Sequence, residues 1–139
     1  MLNVAAYVAS VLISFGSERC LKSNKLVSET YPTLITPANW AFLIWGLIFV
    51  LEGVSVVWQC SARPAVLPSA APWWWAGCAL QCAWTIAFGL EQLVASAVVI
   101  VGVTIAIVGV YVNTVELTGR DWLLGNLPFG IHAAWLVCA

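Results

Sequence analysis

The sequence has very little charge: 8% of its 139 residues are Asp, Glu, Lys or Arg, against about 25% in an ordinary soluble domain. By contrast, 63% of the residues are hydrophobic and the mean hydropathy is +0.98. So apolar a chain also lacks the composition that keeps segments disordered in water. With five basic and six acidic residues, it has no basic surface for a nucleic-acid backbone. The composition predicts an integral membrane protein in contact with a lipid bilayer, with no nucleic-acid partner.

Residues that commonly carry catalysis or bind metals are also scarce. The chain has one histidine and an odd number of cysteines, which we interpret as free thiols. Cys78 and Cys82 would share a helix face, but the chain offers too few further ligands for a zinc site. No facing carboxylates, no Ser/His/Asp set and no phosphate-binding loop can be assembled. The sequence therefore predicts that the protein is not an enzyme.

Five stretches, free of charged residues apart from Glu52 in the second, approach the length of about 20 residues that crosses a bilayer core. They are residues 1–15, 38–60, 72–90, 94–113 and 123–139. These spans predict an all-α fold, a single transmembrane domain over residues 1–139 built as a bundle of five transmembrane helices. The fifth span is still apolar at its last residue, so we expect this helix to be truncated and the chain to be a segment of a longer protein. The first span has a signal peptide as its alternative, although no basic residue precedes it.

The basic residues indicate an orientation only weakly. The long first connection, residues 16–37, holds Arg19, Lys22 and Lys25, whereas Arg63 and Arg120 belong to connections at the other end. The end with the long connection thus has three basic residues and the other end has two. This difference of one residue favours a cytoplasmic or equivalent side for the long connection. The expected location is an organelle membrane, with the plastid thylakoid and the mitochondrion as candidates, or a bacterial inner membrane.

Residues three, four or seven apart lie on one helix face, and the predicted spans carry such stripes. The second span has Phe42, Trp45, Phe49, Glu52, Val56 and Gln59. The third has Trp74, Gly77, Gln81, Trp84, Phe88 and Glu91, and the first has Asn3, Tyr7, Ser10, Ser14 and Ser17. The fourth has the small stripe Gly102, Ala106, Gly109 and Asn113, which permits close helix approach. Because polar groups are costly in lipid, we expect the polar stripes to converge inside the bundle.

The nine tryptophans divide by their depth in these spans. Six lie at span ends and are expected in the interfacial aromatic belt: Trp40, Trp58, Trp73, Trp74, Trp75 and Trp122. Trp45, Trp84 and Trp135 lie deeper, near Glu52, Gln81 and His132. Since a buried indole offers a flat face and needs a hydrogen-bond acceptor, these three predict the wall of a slot for a planar apolar ligand; plain helix packing is the alternative.

Two ionisable residues lie inside the predicted spans. Glu52 has no Lys or Arg within any span to pair with, so it is a functional candidate; the alternative is a neutral acid hydrogen-bonded to a neighbouring helix. His132 is a candidate axial ligand for the metal of a tetrapyrrole, with a packed and hydrogen-bonded imidazole as the alternative.

Three segments resemble one family, in the same order and spacing. They are residues 36–49 (TPANWAFLIWGLIF), residues 81–84 (QCAW) followed by Phe88 and Gly89, and residues 127–135 (LPFGIHAAW). They are similar to signatures of the TspO/MBR family, the tryptophan-rich sensory or translocator proteins, of which the chain resembles a divergent member. Three departures stand out: Cys82 replaces a tryptophan, Gln81 replaces an asparagine, and the long connection has Tyr31 but no tryptophan.

The resemblance implies a five-helix bundle that binds a tetrapyrrole, sterol-like molecule or pigment between its helices, with the first loop as a lid. It places ligand-binding positions at Trp40, Phe42, Trp45, Phe49, Gln81, Trp84 and Phe88, to which the stripes add Glu52 and Trp135. Porphyrin, chlorophyll and carotenoid are the candidate cofactors. Because the fifth span ends before the family's closing residues, we expect no sterol-recognition segment there.

The leading hypothesis is therefore a membrane protein, monomeric or homodimeric, that binds a hydrophobic small molecule. The alternative is an accessory structural subunit of a large photosynthetic or respiratory membrane complex, in which the fold holds pigment or lipid. Few charges and short connections suit a chain that is surrounded by other chains. In that case His132 or a backbone oxygen would hold a chlorophyll magnesium.

Overall fold

Helices make up most of the molecule. The structure is a computed structural model that describes residues 2–32, 36–62 and 64–138. Within these ranges there are seven α-helices, two 3-10 helices and no strand. The α-helices are α1 Leu2–Gly16, α2 Asn24–Thr30, α3 Ile44–Ala62, α4 Leu67–Gly89, α5 Leu93–Asn113, α6 Gly119–Gly125 and α7 Leu127–Cys138. The 3-10 helices are Ser17–Arg19 and Asn39–Leu43.

The long first connection contains the short helix α2. Ser23 caps it, since its side chain accepts a hydrogen bond from the backbone N–H of Leu26 at 3.3 Å, which satisfies one of the free donors at a helix start. Val27 faces inward and is fully buried. The connection therefore packs a folded segment against one end of the bundle.

Helix α4 begins five residues before the predicted span. Pro68 lies in its first turn, where a missing backbone N–H costs no hydrogen bond. Pro72 follows inside the helix, where it removes one internal hydrogen bond. Pro72, where the predicted span begins, therefore lies inside the helix and not at its start.

Helices α4 and α5 form the most extensive helix pair, and the small stripe of α5 lies between them. A Cβ built on Gly102 would lie 3.3 Å from Leu80 Cδ1, and one on Gly109 would overlap the ring of Trp73. The prediction that small residues let a neighbouring helix approach closely is thus confirmed, with Leu80 and Trp73 of α4 occupying the space.

The predicted fifth span is two helices, because the chain breaks at Asn126. Pro128, in the first turn of α7, cannot continue α6, since its ring would clash with the preceding helical turn. Asn126 is fully buried, and its Nδ2 donates hydrogen bonds to Tyr111 O at 2.8 Å and Thr114 Oγ1 at 2.9 Å. These two bonds hold the break between α6 and α7 against the C-terminal end of α5.

The connections meet at two ends of the bundle. At one end, the backbone N–H of Lys22 donates to Gly89 O at 3.3 Å, which joins the first connection to the turn between α4 and α5. At the other, Trp58 Nε1 donates to Asp121 Oδ1 at 3.2 Å, which joins α3 to α6. The long helices therefore alternate in direction.

Two segments within the described ranges are long and apolar enough to cross a membrane by length and composition, Asn39–Ala62 and Leu93–Asn113. Helices α1 and α7 are also apolar but have 15 and 12 residues. The count of five spans stays a prediction. The predicted span ends at Met1 and Ala139, and the loop residue Arg63, lie outside the described residues.

The division of the tryptophans needs one correction. Trp58 and Trp74 were expected in the interfacial belt, but both are buried between helices. Trp58 donates to Asp121, and Trp74 Nε1 donates to Asn3 O at 3.3 Å. Their position near a span end did not reveal that these indoles face a neighbouring helix that supplies the acceptor.

Candidate functional site

Three aromatic rings from two helices form a continuous stack. Trp84 lies in the middle, with its ring centroid 5.6 Å from that of Trp45 at 30° and 5.1 Å from that of Phe88 at 14°. Trp84 and Phe88 are four residues apart on α4 and so share a face. Trp135 of α7 packs edge-on to Trp45 at 6.3 Å and 88°. The stack and Trp135 together contain residues from all three segments that carried the family resemblance.

A cavity of about 420 Å³ lies against this stack, and we call it the aromatic cavity. Its lining residues are Val27, Ser28, Tyr31, Thr36, Pro37, Phe42, Trp45, Trp84, Phe88, Leu93, Ser96, Ala97, Ile100, Trp135 and Leu136. The volume falls within the range of about 300–1,000 Å³ found for small-molecule sites. An apolar wall with few polar groups favours a flat apolar ligand.

One hydrogen-bond donor of this wall has no partner. The indole Nε1 of Trp135 is buried and makes no hydrogen bond to any residue in the described ranges. The hydroxyl of Ser96, in contrast, already donates to Leu93 O at 2.8 Å. An unpaired buried donor is costly, and because Nε1 has almost no accessible surface, a ligand acceptor in the cavity would reach it only after the indole turns.

Helix α2, Tyr31, Thr36 and Pro37 cover one side of the aromatic cavity, and a polar cluster lies at this cover. Lys22 Nζ lies 2.8 Å from Glu91 Oε2, and the Tyr31 hydroxyl also hydrogen-bonds to Glu91. The bonds from Lys22 and Tyr31 lower the pKa of Glu91 below its usual 4.5. Glu91 has φ of +59°, a left-handed conformation that is unfavourable for a residue with a side chain. The left-handed turn at Glu91 thus places its carboxylate against Lys22 and Tyr31.

The two ionisable residues inside the bundle form a buried pair. His132 Nδ1 lies 2.7 Å from Glu52 Oε1, and both residues are only 2% exposed. The imidazole also packs edge-on to Trp45, with ring centroids 5.6 Å apart. Trp45 therefore lies between this pair and the rest of the aromatic stack.

A void of about 10 Å³ adjoins the pair, and we call it the inner void. Glu52, His132 and Gln81 all line it. Two polar atoms of its lining residues, Gln81 Oε1 and His132 Nε2, make no hydrogen bond within the described ranges. The inner void has room for about one water molecule and none for a tetrapyrrole, so the geometry gives no support to His132 as an axial ligand.

A second large cavity of about 370 Å³ lies on the other side of Gln81, and we call it the loop-end cavity. Its lining residues are Ser14, Phe15, Ser23, Asn24, Lys25, Phe42, Leu43, Trp45, Gly46, Phe49, Gln81 and Thr85. Gln81 and Phe49 line both this cavity and the inner void. Hydroxyl, amide and ammonium groups occur on its wall, in contrast to the aromatic cavity.

The predicted ligand-binding residues are thus divided among three spaces. Five line the aromatic cavity: Phe42, Trp45, Trp84, Phe88 and Trp135. Phe49, Glu52 and Gln81 line the inner void instead. Trp40 is 75% exposed and lines none of these three spaces.

Sequence reasoning missed two sides of the aromatic cavity. Val27, Ser28 and Tyr31 come from the first connection, and Ser96 and Ile100 come from α5. Periodicity gave no signal for α2, which has seven residues. Ser96 and Ile100 are four residues apart on α5 and so share a face, but the stripe of small residues on that helix marks a different face.

The cysteines agree with the sequence interpretation. All five cysteines are free thiols. Within the described ranges no cluster of three or more His, Cys, Asp or Glu residues is placed to hold a metal ion.

An all-helical bundle with membrane-spanning segments and an aromatic-walled cavity defines a class of helical membrane protein. The chain belongs to the TSPO-like protein family, whose model matches residues 1–139. The resemblance inferred from the three motifs is thereby confirmed over the whole chain, and the protein is an integral membrane protein. No curated protein and no solved structure matches it.

Proposed function

We propose that the protein binds a planar, largely apolar ligand in the aromatic cavity. The observation that carries this proposal is the stack of Trp45, Trp84 and Phe88 beside a cavity of about 420 Å³. A flat conjugated ligand would gain contact with the ring atoms that line the cavity, since aromatic contacts are worth about 0.5–1.5 kcal/mol each beyond area burial. Membership of the TSPO-like family supports this function.

The unpartnered Trp135 N–H narrows the ligand class. With the indole turned toward the cavity, a tetrapyrrole with carboxylate side chains, or a sterol-like or pigment molecule with an oxygen, supplies the acceptor that this donor lacks. A pure hydrocarbon leaves the donor unpaired at a cost of about 1–3 kcal/mol. We therefore favour a ligand with an apolar plane and at least one oxygen acceptor.

The test is a titration of the purified protein with protoporphyrin, followed by the absorption and emission of the porphyrin. Trp45→Phe keeps a ring but reduces the aromatic face, so we expect the Kd to rise about two- to tenfold, the equivalent of 0.5–1.5 kcal/mol. Trp40→Phe is the matched control, because Trp40 is exposed and lines none of the three spaces described above, and its Kd should match the wild type. Equal Kd values for the two variants would contradict binding at the stack.

Trp135→Phe tests the acceptor separately. It removes the indole N–H but keeps an aromatic side chain, so we expect weaker binding of protoporphyrin by a factor of about five, from one hydrogen bond. Binding of an aromatic hydrocarbon without oxygen should be unchanged or tighter. If both ligands lose affinity equally, Trp135 contributes packing and not a hydrogen bond.

The alternative, a subunit of a larger photosynthetic or respiratory complex, depends on the outer face of α5. Val94, Val98, Val101, Ile105 and Val112 expose an aliphatic surface that suits either lipid or a partner helix. Native electrophoresis of a mild-detergent extract separates the two. Migration as a monomer or homodimer supports the ligand-binding hypothesis, and migration with a coloured complex supports the subunit hypothesis.

A further inference from the structure

The Glu52–His132 pair would carry an unbalanced charge with the carboxyl ionised and the imidazole neutral. A carboxylate next to a neutral imidazole leaves one negative charge inside the bundle, and helices α1, α3, α4, α5 and α7 contain no Lys or Arg. An uncompensated charge in an apolar interior is costly. One added proton would bring the net charge of the pair to zero.

The free nitrogen of the imidazole indicates where that proton binds. Nδ1 faces Glu52 Oε1 at 2.7 Å, which fits an N–H that donates to a carboxylate. Nε2 is buried and unpartnered in the described ranges, and His132 lines the inner void together with Gln81. One water in the inner void would donate one hydrogen bond to Gln81 Oε1 and the other to Nε2, which satisfies both buried atoms.

The inner void adjoins the loop-end cavity at Gln81, which lines both. Ser23, Asn24 and Lys25 of the first connection also line the loop-end cavity. On the same wall the hydroxyls of Ser14 and Thr85 lie 3.5 Å apart. The aromatic cavity shares no lining residue with the inner void. Gln81 and these polar groups thus lie between the pair and the first connection.

We propose that Glu52 and His132 form a proton-binding site inside the bundle, reached from the loop-end cavity past Gln81. The proton comes from hydronium or a buffer acid at the loop end and binds the lone pair of His132 Nε2. The Nδ1–H bond to Glu52 is kept, no other covalent bond changes, and the pair passes from net −1 to net zero. This site is separate from the aromatic cavity and does not depend on ligand binding there.

Few other titratable groups face the pair. From α1, Tyr7 approaches α3, but its hydroxyl already donates to Phe49 O at 2.8 Å. From α4, Cys78 lines the inner void, and from α5 only Ile107 does. On α3 and α7 the pair itself supplies the ionisable side chains of the void lining. Cys78→Ala therefore serves as the control for the one other titratable neighbour on the void.

The single histidine makes the site directly observable. Protein labelled with ¹⁵N-histidine shows one imidazole, whose two nitrogen signals distinguish bare from protonated atoms. Between about pH 5 and about pH 9, where histidine changes charge, we expect Nε2 to pass from N–H to bare while Nδ1 keeps its proton. Cys78→Ala should behave in the same way. An Nε2 that stays bare throughout this range would overturn the proposal.

Two variants test the partner and the route. Glu52→Gln removes the charge that the proton neutralises, so we expect the Nε2–H signal to be lost; the matched control Glu116→Gln, at an exposed position, should keep it. Gln81→Leu removes the acceptor beside the void, so exchange between the two forms should slow. A Glu52→Gln signal identical to the wild type refutes the pair, and unchanged exchange in Gln81→Leu refutes the route. If Glu52→Gln does not fold, Glu52→Asp replaces it in the experiment. An Nε2–H signal that is retained in Glu52→Asp supports the need for a carboxylate at this position. Loss of that signal in Glu52→Asp opposes it.

Discussion

The break at Asn126 positions α7, and with it His132 and Trp135, so a mutation there is the most informative structural test. Asn126→Ala removes two hydrogen bonds from Nδ2, to Tyr111 O at 2.8 Å and Thr114 Oγ1 at 2.9 Å. A net value of about 0.5–1.5 kcal/mol for each predicts a loss of about 1–3 kcal/mol in the free energy of unfolding. Asn126→Asp places an acceptor against these two oxygens, so it should destabilise the protein more than alanine does.

The assay is unfolding in mixed micelles with increasing SDS, followed by tryptophan fluorescence. Asn39→Ala is the control, because its side-chain bond to Glu29 Oε1 at 2.7 Å is exposed, and its effect should stay within about 0.5 kcal/mol. The expected order of stability is wild type, then Asn126→Ala, then Asn126→Asp. If Asn126→Ala costs no more than Asn39→Ala, the buried amide does not hold the break, and Pro128 alone accounts for it.

Two further predictions concern helix packing and the cover of the aromatic cavity. Gly109→Ala should lower the free energy of unfolding by about 1–3 kcal/mol, because the added Cβ overlaps the ring of Trp73. The control is Gly46→Ala in the same SDS assay. Its added Cβ meets nothing within 4 Å, so it should be neutral or stabilising. Glu91→Gln removes the charge that binds Lys22 and Tyr31, so bound porphyrin should dissociate faster in stopped flow, and an unchanged rate would show that this cluster does not hold the cover. Since the pKa of Glu91 is lowered in the folded protein, its contribution is present above the usual 4.5 and is lost as the pH falls through the lowered value; acid should therefore speed dissociation in the wild type and not in Glu91→Gln.

Helical periodicity predicted much of what lies inside the bundle. Trp45, Glu52 and Gln59 were placed on one face, and all three are buried. The division of the tryptophans by depth failed for Trp58 and Trp74, because position along a span says nothing about which neighbour lies opposite. The reading of apolar runs also treated residues 123–139 as one helix, since a charge-free run shows no sign of the amide bonds that Asn126 makes to α5.

By itself, the sequence determined the class of this protein. Low charge and long apolar runs allow a membrane helix and little else, and the spacing of the motif residues established the family. Only the tertiary structure decided that Glu52 meets His132, 80 residues away, and that α2 covers the aromatic cavity. It also divided the predicted ligand residues between the aromatic cavity and the inner void. The physical reason is that composition and periodicity act within one helix, whereas a cavity or a buried pair exists only where the faces of several helices meet.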